Sequence, residues 1–230
     1  MKLAGLQKTT LIDFPGIIAC SVFTLGCNFR CPFCHNKQLV DPSFFSELKI
    51  ISLGDFFSFL AKRKNILDGV CITGGEPTLH KDLVSFISRI KDLGFKIKLD
   101  TNGSNPVAVS KLIKNNLVDF FALDFKTSWE NYPKLTGFKN TEKIKESIRL
   151  ILKAKKKLQI RTTLVPKIHN QKVLLAMAKE LKEFEGKFTW KWQDFRPRNT
   201  LEPRFSKLKS YSGKEIKELT FACQKIIPVG

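Results

Sequence analysis

The sequence predicts an α/β protein built on a mainly parallel sheet, and three observations carry the prediction. Short runs rich in Ile, Val, Leu and Phe recur along the chain. Helical, amphipathic segments separate them. The motifs with chemical content follow the ends of the runs, where ligands sit in parallel α/β folds.

Six runs read as strands: residues 17–24, 69–73, 96–101, 118–126, 158–165 and 188–195. Their composition suits strands covered on both faces. Between the second and third, Leu83, Phe86, Ile87 and Ile90 follow the i, i+3, i+4, i+7 spacing of a helix, and Gly94 is placed to end it. Ile144, Ile148 and Ile151 mark another helix. Near the end, Ser212 and Glu215 form a capping-box pattern ahead of the stripe Ile216, Leu219, Cys223 and Ile226. Strands alternating with helices imply right-handed βαβ units. Periodicity leaves open whether the sheet curls into an incomplete barrel or stays flat.

The chain has 230 residues, enough to bury a core, and reads as one domain over residues 1–230, with a C-terminal extension from about residue 196. The apolar share of 43% argues against disorder. Residues 1–14 carry no apolar core of a signal peptide. The longest apolar stretch, residues 17–25, is interrupted by Ser21 and Thr24 and is too short to cross a bilayer. A cytoplasmic protein with no membrane partner is expected. Lys and Arg outnumber Asp and Glu by 40 to 21, a formal charge of +19. Such an excess favours an acidic protein surface, a nucleotide or RNA, or is simply a solvated basic surface.

The first strand runs into Gly26-Cys27-Asn28-Phe29-Arg30-Cys31-Pro32-Phe33-Cys34-His35-Asn36. Three cysteines within eight residues do not look like a disulfide framework. The C-x3-C-x2-C spacing lets one tight loop wrap three thiolates around a soft metal centre, with Gly26 and Pro32 helping the turn. Chance places two further cysteines at these offsets in only about 0.4% of chains of this cysteine content. Three ligands on a four-iron cube leave one iron open, as a reactive cluster requires. A zinc site with His35 as fourth ligand is the competing reading, although structural zinc usually takes its ligands as two separated pairs. Cys20, Cys71 and Cys223 lie in apolar patterns and read as core thiols, so one cluster is expected.

Gly74-Gly75-Glu76-Pro77 follows the second strand. Its glycines permit close backbone approach to a ligand, and its carboxylate can accept from an ammonium. Alone it would be an ordinary turn. Together with the cysteine loop it makes a resemblance plain: the chain resembles the radical S-adenosylmethionine (SAM) superfamily, whose signature is this cysteine spacing with an aromatic, here Phe33, before the last cysteine. Within it the chain is similar to longer-form activating proteins of anaerobic ribonucleoside-triphosphate reductase. The likeness covers nearly the whole chain. It includes Thr10-Leu11-Ile12-Asp13-Phe14-Pro15-Gly16, Asp100-Thr101-Asn102-Gly103 and Phe195-Arg196-Pro197.

The resemblance implies a partial (β/α)6 barrel of radical SAM type. It implies a [4Fe–4S] cluster on Cys27, Cys31 and Cys34 whose free iron chelates the amino and carboxylate groups of SAM. Phe33, Cys34 and His35 would lie beside the adenine, and Gly74, Gly75 and Glu76 would receive the methionine ammonium. Asp100, Asn102, Asp124 and Lys126 would surround SAM, sometimes with a monovalent cation near the aspartates. Arg161 would meet the SAM carboxylate or ribose, and Asp13 would stand near the substrate.

Bland readings stand beside these. The Asp100–Gly103 stretch could be an Asx turn, Lys126 a solvated lysine, and Asp13 part of a turn before Pro15. Asp124, between Leu123 and Phe125, needs a partner. His80 and His169 follow turn signals and read as surface groups; Trp190 and Trp192 share one strand face. The chain departs from the family pattern at Thr127-Ser128, where relatives often have Ala-Pro.

The function so implied is reductive cleavage of SAM to make a radical that abstracts hydrogen from a backbone glycine. The partner would be anaerobic ribonucleotide reductase or another glycyl-radical enzyme, with a flavodoxin- or ferredoxin-type electron donor. The alternatives are radical chemistry on a small molecule or RNA, of the deazapurine or tRNA-modification type, and a non-enzymatic zinc or iron–sulfur interaction protein. No separate RNA-binding module is visible, so nucleic acid is the less favoured partner.

Overall fold

The computed structural model describes residues 1–227. Seven strands form one sheet in sequence order: β1 (Leu3–Thr10), β2 (Ala19–Thr24), β3 (Gly69–Gly74), β4 (Lys96–Thr101), β5 (Phe120–Asp124), β6 (Lys157–Leu164) and β7 (Thr189–Asp194). From β2 to β7 every neighbouring pair is parallel; β1 lies antiparallel on the edge beside β2. The six expected strands are present with ends shifted by at most two residues. The sheet is an α/β partial barrel of six parallel strands, with β1 and β7 as unjoined edges.

The seventh strand, β1, lies outside the expected set. Only its end residues Leu3 and Thr10 are fully buried, and bulges interrupt its pairing with β2. A partly exposed, bulged edge strand carries no clean alternation of apolar and polar residues.

The helices in chain order are α1 (Lys37–Val40), which follows the cysteine loop, then α2 (Leu53–Lys62), α3 (Leu83–Asp92), α4 (Pro106–Lys114), α5 (Tyr132–Thr136), α6 (Thr141–Lys153), α7 (Gln171–Lys182) and α8 (Gly213–Gln224). The apolar stripe of α3 buries Leu83, Phe86, Ile87 and Ile90, and Gly94 follows it in the left-handed region at φ +92°. Helix α6 buries Ile144, Ile148 and Ile151. The capping box of Ser212 and Glu215 opens α8 as its sequence predicts. Cys20, Cys71 and Cys223 are fully buried free thiols.

Register places polar side chains on the inner face. Ser21 pairs with Cys71, Cys71 with Lys98, and Lys98 with Phe120, while Asp124 pairs with Arg161. Paired residues point to the same side. Strand β6 shows the division: Leu158, Ile160, Thr162 and Leu164 are buried, while Gln159, Arg161 and Thr163 alternate with them.

The lower end of the barrel is closed by the loop after β1. The Phe14 ring lies 6.1 Å from Phe120 at the start of β5. A Cβ on Gly69 would come within 2.8 Å of Ile17 and 3.0 Å of Phe14, so the start of β3 needs glycine. At the opposite end, residues after β7 cross the cysteine loop: Leu201 N–H donates to the Cys34 carbonyl (3.1 Å) and Glu202 N–H to that of Pro32 (2.9 Å).

Two expectations about side-chain placement fail. His169 is fully buried. Its Nδ1 accepts Val165 N–H (2.9 Å), which leaves the proton on Nε2 to donate to the Lys126 carbonyl (2.9 Å). Backbone partners on both ring nitrogens let a polar ring leave water. His80 is half-buried with its ring nitrogen on the Leu25 carbonyl. Trp190 and Trp192 do share a face, with ring centroids 4.0 Å apart.

Candidate active site

The upper end of the barrel holds a cavity of about 320 Å³, and all fourteen candidate site residues line it: Asp13, Cys27, Cys31, Phe33, Cys34, His35, Gly74, Gly75, Glu76, Asp100, Asn102, Asp124, Lys126 and Arg161. They come from six stretches far apart in the chain. Parallel register brings most of them together, because the ends of β2, β3, β4 and β5 and the turns after them lie at the same edge of the sheet; Arg161 reaches the cavity from within β6, and Asp13 from the loop after the antiparallel β1 at the lower end.

The cysteine loop is held from below by the Gly-Gly-Glu turn. Gly75 N–H donates to the Thr24 carbonyl (2.8 Å) and Glu76 N–H to that of Gly26 (2.7 Å). A Cβ on Gly75 would fall 1.9 Å from the Gly26 oxygen, and one on Gly74 2.3 Å from Thr24 N. The close approach that these glycines permit is therefore to the cysteine loop. Inside the loop, Cys34 N–H donates to the Cys31 carbonyl (3.0 Å), and Phe29 N–H points at the Cys27 sulfur (3.3 Å). Burial pushes the thiols of Cys27 and Cys31 up to about 12 and raises that of Cys34. Thiols so placed are deprotonated by metal binding rather than by solvent.

Glu76 is committed to the fold around the cavity. Its carboxylate is buried and accepts from Thr78 N–H (3.1 Å), Thr78 Oγ1 (2.6 Å), Thr101 Oγ1 (2.7 Å) and Asn102 N–H (2.6 Å). Burial raises its pKa, and these donors oppose the rise. The expectation that Glu76 receives a ligand ammonium meets a carboxylate already engaged by four donors. Asn102 is likewise engaged: its amide donates to Asn28 Oδ1 (2.9 Å), and its Oδ1 accepts Ser104 N–H (2.9 Å) in the expected Asx turn. It ties the end of β4 to the cysteine loop.

Across the cavity runs a ladder of charges. Arg161 bridges the two aspartates, with Nη1 on Asp100 Oδ2 (2.8 Å) and both Nε and Nη2 on Asp124 Oδ1 (2.9 and 2.8 Å). Lys126 donates to Asp124 Oδ2 (2.8 Å), so it is not a freely solvated lysine. Burial alone would raise the Asp124 carboxyl, but Arg161 and Lys126 outweigh it and hold the group at about 2. Burial would lower Lys126 and Arg161, and the aspartates instead drive both upward. Arg161, expected on a SAM carboxylate or ribose, is committed mainly to Asp100 and Asp124. Asp13 accepts from Ser21 Oγ (2.5 Å) at the lower wall.

Sequence reading missed Lys98. It is 2% exposed, and its ammonium donates to Asp100 Oδ1 and toward the Cys71 sulfur (3.7 Å). A lysine between Ile97 and Leu99, two residues before an aspartate, was the available signal. Gln193 on β7 also lines the cavity, and nothing local in its sequence marks it.

Among the described residues no three His, Cys, Asp or Glu side chains converge as ligands of one metal ion. A four-iron cube takes each thiolate on a separate iron, and Cys27, Cys31 and Cys34 are the three thiols that line the cavity. His35 is also occupied elsewhere: its Nε2 meets the Arg196 carbonyl, and its ring lies 5.7 Å from Phe195.

The fold and site define an α/β partial barrel with three thiols on one loop at its upper rim. The family description of the Radical SAM superfamily matches residues 21–179, and the chain belongs to that superfamily. A Methanocaldococcus jannaschii protein named "Putative glycyl-radical enzyme activating enzyme" is 32% identical over 234 residues, covering 98% of this chain and 92% of its own. Among solved structures, a radical SAM methyltransferase from Sphaerobacter thermophilus superposes with a TM-score of 0.72 at 13% identity, covering 96% of this chain and 67% of its own. QueE from Escherichia coli superposes with a TM-score of 0.57 at 15% identity, covering 97% and 88%. The structural likenesses establish the fold.

The family implies a [4Fe–4S] cluster and SAM, and the residues fit both. Three free thiols face one cavity, and that cavity has charged and amide groups on one side and the Phe23, Phe29 and Phe33 rings on another. No helix among the described residues is long and apolar enough to cross a membrane.

Proposed function

We propose that this protein is a glycyl-radical enzyme activase, with anaerobic ribonucleoside-triphosphate reductase as the partner. The observation that carries the reading is the convergence of Cys27, Cys31 and Cys34 with the β3, β4, β5 and β6 strand ends on one cavity. Similarity along 98% of the chain to a relative named for glycyl-radical activation supports the substrate class.

When bound, the cluster supplies the electron that cleaves SAM, and SAM supplies the radical that takes hydrogen from glycine. The chain's own residues hold and orient. Cys27, Cys31 and Cys34 bind the cluster; Phe33 and the backbone at Cys34 and His35 line the adenine side. The turn at Gly74 and Gly75 keeps the cysteine loop against β3, and Glu76 and Asn102 lock β4 beside it. Asp100, Asp124, Lys126 and Arg161 form the charged wall that faces the methionine end. Asp13 stands at the cavity, next in the chain to Leu11 and Ile12, which are 72% and 82% exposed. An exposed apolar pair in the loop after β1, which also carries Asp13 to the lower wall of the cavity, suits a protein substrate offering a backbone loop.

A second cavity, of about 760 Å³, suits the electron donor. Phe29, Cys31 and Phe33 face the first cavity, while Arg30 and Pro32 line the second together with Lys134, Lys167 and Arg204. The cationic rim favours an acidic flavodoxin- or ferredoxin-type carrier. Mixing the anaerobically reconstituted protein with the reductase, SAM and a reductant should give a glycyl-radical EPR doublet. If iron and SAM cleavage are present but no doublet forms, the substrate assignment fails.

A further inference from the structure

All four carboxylate oxygens of the aspartate pair accept from cations of the chain itself. Asp100 Oδ1 takes Lys98 and Oδ2 takes Arg161; Asp124 Oδ1 takes Arg161 and Oδ2 takes Lys126. The Lys98 side chain is 3% exposed and sits on the same face of β4 as Asp100, between the Cys71 sulfur and the Phe120 ring. A buried ammonium is costly unless paired, so this one is held only because Asp100 meets it. An ammonium also matches a dehydrated potassium ion closely in charge and size. The monovalent cation expected near the aspartates thus finds no free carboxylate oxygen, and the residues do not fit it.

We propose that Lys98 is the resident cation of this aspartate pair, a positioning residue that aligns Asp100 with Arg161 and removes any need for an alkali metal ion. The inference rests on the SAM reading only in taking the charged wall as part of the SAM site. Its consequence is a latent metal site: removing the ammonium while keeping the rest of the side-chain length leaves Asp100 Oδ1 without its lysine partner beside an ammonium-sized gap.

The test compares thermal unfolding of the reconstituted protein in potassium, sodium and choline chloride at equal ionic strength. For the wild-type protein the three midpoints should agree to within about 1 °C. Lys98→Met should be stabilised by potassium or sodium over choline by about 3–5 °C, because an ion bound only by the folded state raises its stability. SAM affinity of Lys98→Met should likewise be weakened in choline and restored about fivefold or more by the alkali salt. A merely structural lysine would give no such rescue. Alkali-specific stabilisation of the wild type overturns the proposal whether or not the variant folds, and so does a folded Lys98→Met indifferent to all three salts. If Lys98→Met does not fold, Lys98→Gln is read by the same criteria. Failure of the wild type to bind SAM would count against the cofactor reading alone, since the unfolding comparison needs no SAM.

Discussion

The Glu76 carboxylate accepts the Asn102 backbone N–H at 2.6 Å, and through that contact the turn after β3 is fastened to the end of β4. The same carboxylate collects Thr78 and Thr101, while Glu76 N–H holds Gly26 of the cysteine loop. One buried residue, through its carboxylate and its backbone N–H, therefore joins three of the segments that build the cavity. Glu76→Gln turns one accepting oxygen into a donor facing other donors. Unpaired buried donors of this kind cost roughly 2–3 kcal/mol. Urea unfolding should show the loss as a lower midpoint at unchanged slope, and iron retained per chain after desalting should fall with it.

The glycine that touches the cysteine loop can be separated from one that does not. In Gly75→Ala the new Cβ would meet the Gly26 oxygen at 1.9 Å, and backbone on both sides leaves no flexible atom to yield. The turn must part from the loop, so bound iron should drop severalfold while far-ultraviolet dichroism still reports the sheet and helices. Gly213→Ala is the contrast. Nothing lies within 4 Å of its Cβ, and it opens α8, so alanine there should stabilise the fold by about 0.5–1 kcal/mol. Equal iron loss in both variants would remove the special role of Gly75.

The six cysteines should divide three and three. Cys27, Cys31 and Cys34 line the cavity; Cys20 and Cys223 are enclosed by core side chains. Single serine variants of the first three should each lose the broad visible absorption of an iron–sulfur cube and all SAM cleavage. Cys20→Ala and Cys223→Ala should keep both, with a stability loss of about 1–2 kcal/mol for the vacated volume. Zinc without iron or sulfide in the anaerobically purified protein would instead reject the enzyme.

How much of this was legible in the chain depended on how local each signal was. The cysteine loop could be read because three ligands in eight residues need no tertiary information. The strands could be read because β2 to β6 carry apolar runs that helices cover on the outer face. Lys98 and Gln193 could not, since their meaning lies in register: only the pairing of β3 with β4 and of β6 with β7 shows that Lys98 sits beside Asp100 and Cys71 and that Gln193 reaches the cavity. Glu76 was legible as a site residue but its four protein donors were not, because they come from two separated turns. His169 was misplaced for the same reason. A histidine after a turn looks solvated until Val165 N–H and the Lys126 carbonyl are brought to its ring.

That histidine gives the fold a pH dependence with a definite sign. Burial lowers its pKa from 6.5 to about 4, against the hydrogen bond that Nε2 donates to the Lys126 carbonyl. Between those values the unfolded chain binds a proton that the folded protein refuses, so stability is lost as pH falls from 6.5 toward 4. The full difference is worth about 3 kcal/mol. Glu180 behaves oppositely in an overlapping window. Burial raises its carboxyl from 4.5 to about 7, so the folded state keeps a proton that the unfolded chain has released, and stability falls as pH rises. Denaturant unfolding at pH 4.5, 5.5, 6.5 and 7.5 separates the two. Relative to wild type, His169→Gln should lose its disadvantage progressively toward pH 4.5, while Glu180→Gln should gain steadily toward pH 7.5. Parallel curves for His169→Gln and wild type would mean that the folded ring titrates as it does in the unfolded chain, and the hydrogen bond from Val165 N–H to Nδ1 would then be lost below pH 6.5.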